Sequence, residues 1–171
     1  MITRSVKILF ACLFFFLPNT LLHAQDDDLP KDYLTKEFHS GRRAAFRELM
    51  PGISVFIVFA YPTRTFSNDV EYVYHQNPDM YYFSGYREAN SMLMIFKEEQ
   101  KNTDGSAYKE IIFVKKKDPR AEQWTGKRSG TEGAKEKLGF TQAFNGGDYK
   151  NYQIDFSKFD KIILDKFPPD V

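Results

Sequence analysis

Three histidines, one cysteine and 23 carboxylates are the side chains in this 171-residue sequence that could hold a metal or move a proton. A hydrolytic zinc site needs clustered ligands, such as two histidines one helical turn apart with a glutamate between them. His39 and His75, the two histidines of the body, stand far apart. There is no Gly-x-Ser-x-Gly elbow, no phosphate-cradling glycine loop and no Gly-x-Gly-x-x-Gly. Carboxylates are plentiful, but none is read inside an apolar strand, where burial would tune its pKa. The residues taken alone make no catalytic constellation.

Aromatic side chains are the unusual feature, with 17 Phe, 10 Tyr and one Trp. The segment from Tyr72 to Tyr86 is densest in them. Tyrosine joins apolar area to a hydroxyl that seeks a partner, which suits interfaces and pocket walls. A plainer reading is that alternate tyrosines pack on a sheet while the rest cover its rim. His75 is either a hydrogen-bonded structural residue or a ligand. Trp124, two residues before Gly126, is either core or an exposed aromatic finger. So many rings exclude a disordered chain. A net charge of +1 leaves no positive reserve for a phosphate backbone, so nucleic acid is excluded as a partner.

The elements that must position these residues begin after a leader. Arg4 and Lys7 precede an apolar run from Ile8 to Leu17 that Pro18 ends. Ala24 then precedes the acidic Gln25-Asp26-Asp27-Asp28. This is the pattern of a secretory signal peptide over residues 1–24, cleaved after Ala24. The run falls short of the roughly 20 apolar residues of a membrane span, although an uncleaved anchor stays an alternative. A lipid-attachment box ending at Cys12 is the other, with Phe10 bulky for it. Cleavage removes the sole cysteine and leaves one acid in excess. The expected destination is the periplasm or the extracellular space, with no disulfide framework and with stability drawn from a core. Residues 25–37 read as a polar linker.

In the body, Ser40 or Gly41 is expected to open a helix ended by Pro51-Gly52, with Phe46, Leu49 and Met50 on its apolar face. Ile53 to Ala60 is apolar on both sides after Ser54 and reads as a central strand of a layered α/β sheet. Glu71–Gln76 and Met80–Ser84 read as extended, separated by a turn at Asn77-Pro78-Asp79. Ser91–Phe96 and Glu110–Val114 are strands joined by a hairpin-like connection. A mixed stretch around Trp124 leads to a short helix at Thr131–Leu138, and Phe159–Leu164 is a last strand.

Several of these stretches, in this order, resemble the N-terminal domain of aminopeptidase P. They are Arg42-Arg43 in a helix, Pro51-Gly52 before an apolar strand, and Asp69, Tyr72, Tyr74, Gln76-Asn77, Tyr82-Phe83 and Gly85. Asp118-Pro119-Arg120, Glu122, Trp124-Thr125-Gly126-Lys127-Arg128, Gly130, Ala134, Glu136 and Gly139 follow. The likeness runs from about Phe38 to the C-terminus, giving a domain at 38–171. It implies an α/β fold with a mixed central sheet flanked by helices. It also implies a parent Xaa-Pro aminopeptidase, which removes the residue preceding an N-terminal-side proline from peptides with proline second. The parent's catalytic domain is of the creatinase type, where two Asp, one His and two Glu hold a pair of divalent metals, commonly manganese. Metals about 3.5–4 Å apart activate a bridging water and polarise the scissile carbonyl. None of those five ligands is recognised in this sequence, so the chain alone is expected to be inactive and to lack part of its parent. Its implied role is to make subunit contacts, against neighbouring copies and its own catalytic domain, and to shape the active-site entrance. Asp69 and Trp124 match family positions at that mouth, Trp124 reaching toward a neighbouring subunit. Tyr74 and Tyr82 are further candidates that packing explains equally well. His75 stands where many relatives carry a basic residue, which makes any ionic contact there pH-dependent. The alternative is a stand-alone, non-catalytic binding or scaffold module with the same fold.

Overall fold

A computed structural model describes residues 34–165. The expected signal peptide, nearly all of the 25–37 linker and the Pro168-Pro169 end lie outside the described residues. The architecture is α/β, a mixed five-stranded sheet flanked by helices.

β1 (Ser54–Phe59) is buried along almost its whole length because it has a neighbour on each side. It pairs antiparallel with β4 (Met92–Lys101) and parallel with β7 (Lys161–Leu164). β4 pairs antiparallel with β5 (Ala107–Val114), and β5 pairs parallel with β6 (Ala143–Asn145). The order is therefore β6-β5-β4-β1-β7. All but β4 point one way, so the loops that follow four of the five strands leave from a single edge of the sheet. A separate small hairpin pairs β2 (Thr65–Ser67) with β3 (Val70–Glu71).

Alternation along each strand divides the core in two. Phe56, Val58, Leu93, Ile95, Ile112 and Val114 face α1 (Lys36–Leu49), α2 (Pro78–Ser84) and α4 (Gly130–Glu136). Val55, Ile57, Met94, Phe96, Ile111 and Phe113 face the opposite way. Tyr152, Phe156 and Phe159, on and around two 3₁₀ turns at Gly146–Asn151 and Phe156–Lys158, cover that side. On the helical side Phe46 meets Phe56 and Phe83 with ring centroids 4.8 and 5.0 Å apart. Such contacts contribute about 0.5–1.5 kcal/mol each beyond area burial.

The first helix differs from the expectation in two ways. It starts at Lys36, where the Thr35 hydroxyl accepts the Phe38 N–H at 3.3 Å. Ser40 and Gly41 therefore lie inside it. Its buried face is also more polar than read. Leu49 is 84% exposed, whereas His39 and Arg43 are fully buried. Positions 39, 43 and 47 recur at four-residue spacing, so one stripe turns inward together.

Glu110 explains why that stripe can be buried, and it corrects the view that no carboxylate sits in an apolar strand. It stands on β5 immediately before the apolar Ile111–Val114. Arg43 Nη2 donates to its Oε1 at 2.8 Å and Arg47 Nη2 to its Oε2 at 2.9 Å. Arg43 Nη1 donates to the Phe83 carbonyl at 2.8 Å, and the guanidinium lies 4.2 Å from the Phe140 ring centroid. Arg47 Nε donates to the Phe96 carbonyl at 3.2 Å. One carboxylate thus ties α1 to β5 through two arginines.

His39 completes the seam. Its Nδ1–H donates to the Tyr82 carbonyl at 2.9 Å, while Nε2 is buried without a partner. Burial, chiefly, and the charge of Arg43 hold its pKa below the usual imidazole value, partly opposed by the Tyr82 carbonyl. In the unfolded chain His39 titrates near pH 6.5. Below that pH the unfolded state takes up a proton that the fold resists, so stability falls as pH drops from about 6.5 toward the folded pKa. The urea midpoint is expected to be lower at pH 5.5 than at 7.5, and His39→Gln to flatten that dependence.

Two segments are corrected outright. Met80–Ser84 is helical rather than extended, because Asn77-Pro78-Asp79 is a helix start and not a turn between strands. The Asn77 side chain accepts the Asp79 N–H at 3.0 Å, Pro78 occupies the first turn, and Gly85 closes the helix at φ 71°. The stretch around Trp124 is likewise a helix, α3 (Pro119–Thr125). Glu71–Gln76 pairs only at its first residue.

Candidate functional site

The edge where β1, β5, β6 and β7 end carries three of the residues singled out from the sequence, Tyr74, Gln76 and Asn77. In layered α/β sheets ligands bind beyond the carboxyl ends of strands. Gln76 and Asn77 organise this edge. Gln76 Nε2 donates to the carbonyls of Tyr86 and Glu88, both at 3.1 Å. Asn77 Nδ2 donates to the Phe59 carbonyl and to Asp165 Oδ2, both at 2.8 Å. The pair therefore joins the ends of β1 and β7 to the start of α2, and both side chains are spent on that work.

Tyr74 belongs to the same lock. Its hydroxyl lies 2.9 Å from Gln76 Oε1 and 3.0 Å from the Tyr61 carbonyl. Burial raises its pKa, so it stays a protonated donor. Tyr86, fully buried, donates to Glu88 Oε2 at 3.0 Å and accepts the Lys115 N–H at 3.0 Å. Burial, then the Glu88 charge, raises its pKa too. Glu88 Oε1 accepts the Ser129 N–H at 2.7 Å, linking this loop to the start of α4. Glu88 and Tyr86 were not singled out as a pair from the sequence. Only their spacing of two with a hydroxyl partner hinted at it.

The remaining candidates stand outward. Tyr82 is 41% exposed on α2, its ring edge-on to Phe38 and Phe83. Asp69 is exposed in the two-residue turn between β2 and β3, beside Asn68 at φ 49°. Phe66 and Tyr72 flank that hairpin with centroids 5.1 Å apart, and both are exposed. His75 is exposed. Among the described residues, no hydrogen bond, ion pair or ring contact joins Asp69, Tyr82 and Trp124 to one another.

Trp124 is 87% exposed, so of the two readings open to it the finger is the geometry found. Its helix is short yet well held. Asp118 Oδ1 accepts the N–H groups of Arg120 and Ala121, both at 3.1 Å, and Glu122 Oε1 accepts the Asp118 N–H at 2.9 Å. Arg128 Nη1 donates to the Lys116 carbonyl at 2.9 Å and its Nη2 reaches Thr125 Oγ1 at 3.5 Å. An indole held out on such a support can stack on a proline ring or an apolar side chain.

Among the described residues no group of three or more His, Cys, Asp or Glu lies close enough to hold a metal ion. No described helix is long and apolar enough to cross a membrane.

Comparison with known proteins agrees with the family resemblance. Residues 39–161 match the family described as "Aminopeptidase P, N-terminal domain". The Xaa-Pro aminopeptidase of Escherichia coli is 37% identical over 108 residues, 63% of this chain but 23% of that protein. Xaa-Pro aminopeptidase 3 of Homo sapiens is 36% identical over 88 residues, 52% of this chain and 17% of that protein. Among solved structures, E. coli aminopeptidase P with the inhibitor Pro-Leu superposes with a TM-score of 0.64 at 30% identity, covering 77% of this chain and 29% of that one. Pseudomonas aeruginosa aminopeptidase PepP gives 0.62 at 29% identity, covering 69% and 25%. The chain thus spans less than a third of the length of the relatives it matches. Matched fold, ordered motifs and a family match over most of the described residues together establish that this chain belongs to the aminopeptidase P N-terminal domain family.

Proposed function

We propose that this domain is the entrance wall and subunit-contact part of an exported Xaa-Pro aminopeptidase. The observation that carries the reading is Trp124, an almost fully exposed indole on a braced helix, at a position the family resemblance assigns to the active-site mouth. A large apolar ring left in water on a rigid support is what an interface uses. The exposed Phe66 and Tyr72 and the turn carrying Asp69 suit the same use. The basic, then apolar, then small-residue pattern of 1–24 supports export.

On this reading the hydrolytic step belongs to a further domain holding two divalent metals, manganese by resemblance. This domain limits entry to peptides with a free N-terminus and proline second. Trp124→Ala in the complete enzyme is expected to lower kcat/KM for an Ala-Pro peptide about 2- to 10-fold, the loss of one aromatic contact. The urea midpoint should not move, since the indole is exposed. An unchanged kcat/KM removes Trp124 from the mouth. If no metal-bearing domain accompanies this one in the cell, the scaffold alternative takes its place.

A further inference from the structure

Residues 115–128 carry six of the chain's 24 basic residues and only two acids, whereas the whole chain has a net charge of +1. Arg120 lies on α3 with the exposed indole, and the other five flank that helix in sequence. Arg120 precedes Trp124 by one helical turn, on the same face. Arg128 bridges the Lys116 carbonyl and the hydroxyl of Thr125, the residue after Trp124, which ties the lysine run to the C-terminal end of α3.

The acids nearby accept hydrogen bonds or pair within the fold, and only Glu132 faces a cation. Asp118 caps α3, Glu122 accepts the Asp118 N–H, Glu132 faces Lys117 at 3.6 Å, and Glu88 is bound to Tyr86 and Ser129. Lys115, Lys116 and Arg120 take part in no ion pair among the described residues, and Lys116 and Arg120 are exposed. Six cations against two carboxylates in one segment that carries an exposed aromatic anchor complement an anionic partner.

We propose that this cationic segment selects substrates with acidic residues a few positions beyond the proline, Trp124 holding the apolar part and Lys115, Lys116 and Arg120 the carboxylates. The proposal rests on the entrance-wall reading and names its substrate class.

Trp124 is the only tryptophan in the chain, so its emission reports this site without a label. The purified chain is titrated at low salt with Ala-Pro-Gly-Asp-Glu-Asp, with Ala-Pro-Gly-Lys-Arg-Lys and with the proline-free Ala-Ala-Gly-Asp-Glu-Asp. The acidic Ala-Pro peptide is expected to bind about fivefold or more tighter than the basic one, as three exposed charge pairs imply. The advantage should vanish at high salt and in the combined variant Lys115→Gln, Lys116→Gln and Arg120→Gln. Equal affinities, an advantage that survives both treatments, or no response of the emission to the acidic peptide would overturn the inference. A preference for Ala-Pro over Ala-Ala without any charge preference keeps the entrance reading and sinks the charge selection. A charge preference without a proline preference sinks the entrance reading and, with it, the substrate class named here.

Discussion

Glu110→Ala is expected to destabilise the fold by about 3–5 kcal/mol, read as a lower urea midpoint at pH 7.5. Removing this carboxylate leaves the Arg43 guanidinium, with no exposed side-chain surface, buried without an anion. Arg47, 14% exposed, loses its partner as well. Against a typical total of about 5–15 kcal/mol, a loss of that size removes a large part of the stability margin. The logic is asymmetric, because the cost lies in the orphaned charge and not in the value of the pair. Replacing Arg43 and Arg47 by Met and Glu110 by Leu together is therefore expected to restore most of the lost stability. If Glu110→Ala shifts the midpoint no more than a surface substitution does, the seam is not holding α1 to the sheet.

Gly85→Ala should cost about 2–5 kcal/mol, through two separate effects. At φ 71° an L-residue pays about 1–2 kcal/mol for the left-handed conformation. A Cβ there would also stand 2.8 Å from His39 Cδ2 and 2.9 Å from Nε2, atoms of a fully buried ring that has little room to retreat. Overpacking of that kind adds about 1–3 kcal/mol. Combining the change with His39→Ala vacates the space and should recover the second effect but not the first. A midpoint shift identical in both backgrounds would show that the close approach carries no energy.

The sheet was legible because its strands differ sharply from their surroundings. β1 could be recognised as central from an apolar run with no polar face, and burial on both sides follows from neighbours on both edges. The three residues of β6 carry no such pattern, since so short a strand is defined by its partner β5. α2 was misread because Tyr81, Tyr82 and Phe83 favour strands by type, whereas the capping signals on each side favour a helix. Asn77, Pro78 and Gly85 were present to be weighed, and local capping with tertiary packing outweighed propensity.

The site was legible in part. Trp124 could be marked as finger or core but not decided, because exposure depends on what α3 rests against. Asp118-Pro119 followed by Glu122 spells a helix start inside what was read as a mixed stretch. The Arg43–Glu110–Arg47 seam joins residues distant in sequence, which only the pairing of α1 with β5 brings together. Tyr74 is in reach of two acceptors, and that commits it to structure more than to ligand binding.

The central claim is that this chain supplies walls and contacts while the metal chemistry of its family is performed by residues other than those described here. Titration calorimetry of the purified chain with manganese, paired with a turnover assay on an Ala-Pro peptide, tests it most directly. The account predicts no binding of two ions per chain and an intact peptide. Stoichiometric uptake of two ions together with release of alanine would contradict it.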